Sequence, residues 1–526
     1  MNSKYNINRI IKSFALVVFI GIISSCDKDV TDLQPFDRIT EDLAFSTPAR
    51  IELSMAGVYD AAQSGFYLGG QVRGYPFGAA NTQQGDMRGE DMLNVAAFYA
   101  ITYENNYNPG TANNVFMWNT LYGVINKANL VIEGVTKAID NGVVTAEAGN
   151  AYIGEARFLR ALSHHELLVH FARPYAHTSD ASHPGVPYRL VPVNTGSAVD
   201  SEIQKGRNTV AECYTLILED LQFAEDNLPA SRAGALKVTR AVKSAAIALK
   251  SRVQLHKSDF AAVITESNKL IVDNVGAHAL TAEPEGPFAN NNNAESIFSV
   301  EHSEADNAGV NGSVSAMYTT APGRALIAIS PIMFNHPDWL ETDKRRSQLT
   351  EGVANGFFTK KYRAKATRTD WNPILRLAEV YLNAAEAYSR TGNTAKGLEY
   401  LNAVRNRAVG EADRFEASDF ADAKALTAAI LLERRIELLA EGRRWSDIHR
   451  LGLDPDFNTG GIPAKVAFGS TTLASWGYGL NYENGQYTGT RSIQSRPYDD
   501  FRFVWPIPLD EINNNPVLRE QQNPGY

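Results

Sequence analysis

The sequence predicts a predominantly α-helical protein in which paired helices form a scaffold that carries long, ordered, irregular loops. Apolar and small residues recur at helical spacing in pairs of segments joined by tight turns. Between the pairs lie stretches longer than the roughly 15 residues of a plain connector, and they are rich in Tyr, Trp, Phe, Gly and Asn. With 44% hydrophobic and 21% charged residues, the 526-residue chain has the composition of a globular protein able to bury a large core.

At the N-terminus, Lys4, Arg9 and Lys12 precede an unbroken apolar run over residues 14–23, followed by Ser24, Ser25 and Cys26. Ten residues fall short of the roughly 20 that a membrane-spanning helix needs. A basic start, a short apolar run and small residues outline a secretory signal peptide over residues 1–25. Ile23-Ser24-Ser25-Cys26 resembles a bacterial lipobox, so Cys26 is expected to carry the lipid, with residues 26–36 as lipidated cysteine and tether. Residues 37–526 are expected to form one domain, with loop insertions at about 66–114, 277–361 and 451–502 and a further irregular stretch at 174–205.

Trp118, Leu121, Tyr122, Ile125 and Ile132 mark an amphipathic helix, and residues 151–171 mark a longer one. Thr209 with Glu212 has capping-box spacing and opens a helix that Pro229 closes. Cys213 within it reads as buried filler rather than a reactive thiol. Residues 240–270 form a helix pair turning at Ser258-Asp259. Residues 374–404 form another, turning at Thr391-Gly392-Asn393, with the large-and-small interlocking of a tetratricopeptide repeat of about 34 residues. Residues 428–450 read as one long helix, on which Arg443 and Asp447 have the i, i+4 spacing of an ion pair.

A net charge of −9 with scattered Lys and Arg argues against nucleic acid, which calls for a basic patch or stripe. His164-His165-Glu166 suggests H-E-x-x-H, but Val169 stands where the second histidine belongs and His170 comes one step late, so packing roles are expected. No nucleophile elbow, P-loop or dinucleotide fingerprint occurs. Paired carboxylates for glycoside hydrolysis have no fixed sequence spacing, so a surface hydrolase stays open on motifs alone. No cofactor or metal is called for.

Several segments in order carry a resemblance: Cys26; Ala56-Gly57-Val58-Tyr59; Trp118 through Ala128-Asn129; Glu155-Ala156-Arg157-Phe158-Leu159-Arg160-Ala161; and Asn402-Ala403-Val404-Arg405-Asn406-Arg407-Ala408. Glu433-Arg434-Arg435-Ile436-Glu437-Leu438, Glu441-Gly442-Arg443-Arg444-Trp445, Trp505-Pro506-Ile507-Pro508 and the closing Gln522-Asn523-Pro524-Gly525-Tyr526 continue it. Together they make the chain similar to the SusD/RagB family. That resemblance implies a non-catalytic outer-membrane lipoprotein facing the cell exterior, seated as a lid on a SusC-like TonB-dependent barrel transporter. Its ligand would be an oligosaccharide or, less often, a peptide.

Sugar rings present apolar C–H faces and many hydroxyls, so a site needs aromatic platforms beside polar groups. The loop at 66–114 offers Phe66, Tyr67, Tyr75, Phe77, Phe98 and further tyrosines, and the loop at 277–361 adds Asn290 to Asn293, Tyr318 and Trp339. The expected site lies where these loops face each other. Tyr99, Tyr103 and Trp339 are its stacking platforms, and Asp86, Arg88 and Asp91 are its hydrogen-bonding groups. Trp476, Tyr478 and Tyr482 form the alternative face.

Overall fold

The computed structural model describes residues 41–64, 73–354, 356–469 and 472–526. The signal peptide, Cys26, the tether, Phe66 and Tyr67 lie outside the described residues.

The scaffold is a succession of helices, each packed on the next. We number the elements used below α1 (Pro48–Ser64), α2 (Ala79–Met87), α3 (Ala112–Asp140), α4 (Ala146–Phe171), α5 (Val210–Asn227), α6 (Lys243–His256), α7 (Phe260–Ile271), α8 (Leu377–Arg390), α9 (Thr394–Arg405), α10 (Ala423–Glu437), α11 (Arg444–Arg450) and α12 (Leu509–Asn514). α3 packs on α4, α4 on α5, α5 on α6, α6 on α7 and α7 on α8, which meets both α9 and α10. The apolar stripes explain the order. α3 buries Met117, Leu121, Val124, Ala128, Val131 and Val135, a spacing that keeps them on one face. Ala245, Ala246 and Ala248 on α6 and Ala384, Ala385 and Ala387 on α8 are fully or nearly fully buried, so the backbones approach closely.

Helix starts follow their capping residues. Thr145, Asp259, Asn393 and Asp422 each accept a hydrogen bond from a first-turn amide, and Thr209 with Glu212 forms the full capping box. Each such cap contributes about 0.5–2 kcal/mol. Cys213 is buried and its thiol donates to the Val186 carbonyl.

Two sequence expectations are corrected. Residues 374–376 do not begin α8. They end a strand, β6 (Asn372–Arg376), that pairs antiparallel with β2 (Ser296–Val300) and orients Arg376 toward buried carboxylates. Residues 428–450 are likewise two helices, not one. Between α10 and α11, Ala440 and Gly442 adopt left-handed φ of 62° and 74°. This turn lies against α2 so closely that a Cβ on Gly85 would fall 2.0 Å from the Gly442 oxygen. Breaking the helix also redirects Arg443, which pairs with Glu166, while Asp447 pairs with Arg434 and Arg450.

The loops build a second core of their own. β1 (Met92–Asn94) pairs antiparallel with β3 (Ile327–Ile329), and β4 (Thr350–Val353) pairs with β5 (Gly356–Thr359). Around them Met87, Tyr99, Tyr318, Met333, Trp339 and Phe358 pack with Ile436 and Ala440 from the scaffold's broken helix. An enclosed ionic network joins the two halves. Glu437 accepts from Arg376 at 2.7 Å and Arg407 at 2.6 Å, and also meets Arg345 at 3.1 Å. Glu295 bridges Arg376 and Arg407, while Glu441 takes Lys361 and Arg376. Burial pushes the Glu437 carboxyl up, yet Arg407, Arg376, Arg345 and Lys361 together hold it well below the usual range.

Candidate functional site

The two loops expected to face each other do meet, but they close on one another. Asp86, Arg88, Asp91, Tyr99, Tyr103 and Trp339 are each 3% exposed or less. Tyr99, Tyr103 and Trp339 share the second core. Tyr103 donates to the Val466 carbonyl at 2.6 Å, and Arg346 covers the Trp339 ring at 4.4 Å. Asp86 accepts from the Tyr318 hydroxyl at 2.6 Å and the Gly442 amide at 3.0 Å. Burial raises its carboxyl to about 7 against those two bonds. Arg88 turns away to the scaffold, 3.4 Å from the Trp445 ring centre, and burial lowers its guanidinium to about 10. Asp91 pairs with Arg435 and Arg444. In this arrangement the six frame a surface rather than present one, because their rings are packed and the charged groups of Asp86, Arg88 and Asp91 are engaged within the protein. The physical reason is that aromatic residues in a long loop are also what gives that loop a core.

The surface lies one layer outward. Phe98, half-buried, packs at 5.1 Å from the Tyr99 ring, with the guanidiniums of Arg73 and Arg324 at 5.1 and 5.3 Å from its centre. Phe357 on β5 stacks on Phe334 at 4.0 Å and 19° and is itself half-buried. At the start of β5, Gly356 allows Trp476 to approach, and the Trp476 indole donates to the Ile329 carbonyl at 3.1 Å. Trp476, one of the alternative platforms, is thus buried. Its neighbours Tyr478 and Tyr482 do reach the surface.

Tyr482 stands on a hairpin whose logic is local. β7 (Tyr482–Glu483) and β8 (Gln486–Tyr487) are joined by Asn484 and Gly485 at φ 50° and 73°, the left-handed pair of a two-residue turn. This register sets Tyr482 opposite Tyr487 with ring centres 5.5 Å apart, and Arg491 lies 5.3 Å from the Tyr487 ring. The Asn-Gly signal between tyrosines was readable in the sequence. Phe98 and Phe357 had no comparable signal, since only the packing of β1, β3 and β5 decides which loop aromatics stay half-open.

Elsewhere the histidines pack. His164 stacks on Tyr188 at 3.7 Å and His170 on Trp505 at 4.6 Å. Among the described residues, no group of three His, Cys, Asp or Glu side chains could hold a metal ion, and no helix is long and apolar enough to cross a membrane.

The SusD family model matches residues 340–526, and a family model described as starch-binding and associating with the outer membrane matches residues 51–255. SusD-like protein P38 of Formosa agariphila is 22% identical over 501 residues, covering 83% of this chain and 90% of the relative. A solved SusD superfamily protein from Bacteroides fragilis matches with a TM-score of 0.74 at 26% identity, covering 90% of this chain and 99% of that one. A protein of Bacteroides vulgatus assigned to sugar binding matches at 0.73 and 25% identity, covering 91% and 99%.

Proposed function

Because this chain belongs to the SusD/RagB family, we propose that it is a non-catalytic glycan-binding lipoprotein that passes its ligand to a TonB-dependent barrel transporter. The observation that carries this reading is the edge of the loop-built core, where Phe98, Phe357 and Tyr487 pack half-open, Tyr482 lies beside Tyr487, and guanidiniums stand beside Phe98 and Tyr487. A half-open ring stacks on the C–H face of a sugar at low entropy cost, and neighbouring Arg and Asn groups meet its hydroxyls. Association with the outer membrane follows the family description. On this reading the anchor is the lipid on Cys26, with two or more chains needed for durable attachment at about 0.8 kcal/mol per buried methylene.

The test is titration calorimetry of the soluble chain against oligosaccharides from starch, fructan, mannan, xylan and pectin, with product analysis of each mixture. One of them should bind and be recovered intact. Sustained cleavage, or binding of none while peptides bind, would overturn the reading. Metabolic labelling with a fatty acid should mark the wild type and not Cys26→Ala, and gentle extraction should recover a barrel partner.

A further inference from the structure

A cavity of about 350 Å³ opens on the scaffold, between α1, the short helix Leu236–Thr239 and the chain leaving β2. None of its lining residues belongs to the loop-built core. Ala56, Tyr59, Asp60 and Gln63 share the lining face of α1, at the spacing of three and four residues that sets side chains side by side on a helix. Past β2 the side chains still alternate: Glu301 and Ser303 line the cavity, while His302 between them is 3% exposed. The Gln63 amide nitrogen ties the two walls together, donating to the Glu301 carbonyl at 2.8 Å and the Asp306 carbonyl at 3.4 Å.

The polar groups that the fold leaves unused in this lining are acceptors. Gln63 is 6% exposed, and its Oε1 has no hydrogen-bond partner among the described residues, which is costly for a buried acceptor. Asp60, Glu301 and Asp306 line the same cavity, are exposed, and form no ion pair among the described residues. Arg240 is in the lining too, but Glu52 and Glu155 take its guanidinium at 2.6 and 2.5 Å. The charge left uncompensated in the cavity is therefore negative. Ala56, Ala62, Leu236 and Val300 supply apolar surface beside it.

We propose that this cavity binds a primary alkylammonium, its N–H groups donating to the Gln63 Oε1 and the surrounding carboxylates. An ammonium has three donors and no acceptor, which matches a lining whose unused groups only accept. Its methylene stem suits the apolar surface better than a hydroxylated ring does. A calcium ion needs several oxygens converging within about 2.6 Å, and among the described residues no group of three His, Cys, Asp or Glu side chains does so. The volume falls within the range of small-molecule pockets.

This site goes beyond the glycan reading and is tested apart from it. Saturation-transfer NMR on the full-length protein should show contact to the butyl protons of butylammonium. Butanol lacks the charge, and butyltrimethylammonium keeps charge and stem but has no N–H, so each should bind about tenfold more weakly. Lysine amide and cadaverine present the same group as a peptide side chain and as a free diamine; at least one should match butylammonium, and the tighter identifies the source. Asp60→Asn, at an exposed position, should weaken binding about threefold, as for a surface charge pair, and Gln63→Met about tenfold, as for a buried hydrogen bond to a charged group. Leu236→Trp, which fills the mouth at a residue 46% exposed, should abolish binding, whereas Tyr487→Ala should leave it unchanged. The proposal is overturned if butylammonium does not bind, if butanol or butyltrimethylammonium binds as tightly, if Asp60→Asn and Leu236→Trp both bind like wild type, or if glucosamine is preferred to both lysine amide and cadaverine. Displacement of butylammonium by an equal concentration of calcium would overturn it in favour of a metal site. Loss of binding in Tyr487→Ala but not in Leu236→Trp would overturn it while leaving the loop-face reading in place.

Discussion

The scaffold and the aromatic core of the loop-built half bury polar groups differently, and the contrast separates what holds the fold from what is proposed to meet a ligand. In the scaffold, carboxylates are enclosed by guanidiniums: Glu379 takes Arg252, Glu386 takes Arg450, and Glu437 takes three arginines. In the aromatic core of the loop half, Asp86 accepts from a tyrosine hydroxyl and a backbone amide rather than from a guanidinium, and aromatic rings surround it. A fully paired charge cluster fixes geometry, whereas a ring-lined core can leave some of its rings half-open at the edge. Charge pairing therefore marks the frame, and half-open aromatics mark the proposed binding face.

The largest expected effect tests the frame. Glu437→Ala removes the carboxylate that Arg376, Arg407 and Arg345 share, leaving an uncompensated positive charge in the buried cluster, and should cost about 3–5 kcal/mol in urea denaturation. Trp339→Ala should cost a similar amount, about 3–5 kcal/mol, by opening a cavity in the second core. A loss under about 1 kcal/mol in either, within the scatter of surface substitutions, would break the assignment of these residues to the frame.

The next effect tests the face. Tyr487→Ala and Phe357→Ala should each weaken oligosaccharide affinity by about 2 kcal/mol, roughly thirtyfold, since truncated aromatic anchors cost that much. Their melting temperatures should stay near wild type compared with the frame variants. Unchanged affinity in both would move the site off this face.

A smaller effect comes from acid, and the two halves respond with opposite sign. His165 and His449 in the scaffold are held neutral, with burial lowering each to about 3 and nearby arginines adding to it. Their unfolded-state value is near 6.5, so between about 6.5 and 3 the unfolded chain binds more protons and acidification costs stability, on the order of 1 kcal/mol per pH unit for each group. Asp86 runs the other way. Burial raises it to about 7, so between about 7 and 4 the folded chain binds the extra proton and acidification favours folding. Asp86→Asn should therefore steepen the loss of stability on lowering pH from 7 to 5, read by denaturation midpoints. A flatter profile than wild type would contradict this balance.

The scaffold was legible because helical spacing and caps are local: Thr209 with Glu212, and the turn at Thr391-Gly392-Asn393, announce their geometry within a few residues. The break in 428–450 was not. Gly442 reads as a tolerated helix glycine until the close approach of Gly85 forces its left-handed backbone. The start of α8 was hidden similarly, since Asn372–Arg376 becomes a strand only by pairing with Ser296–Val300, more than seventy residues earlier. For the proposed face, composition drew attention to these loops but not to which of their aromatics stay half-open. Tyr99 and Phe98 are adjacent in sequence, yet only tertiary packing buries the first and leaves the second half-open.

Hydrogen exchange read by mass spectrometry, with and without the oligosaccharide that binds best, separates the proposed binding face from the frame. Slowed exchange is expected at residues 95–98, 350–358 and 476–491, with the scaffold around α8 and α10 unchanged. Protection confined to α8–α10, with those loop segments exchanging as in the free protein, would contradict it.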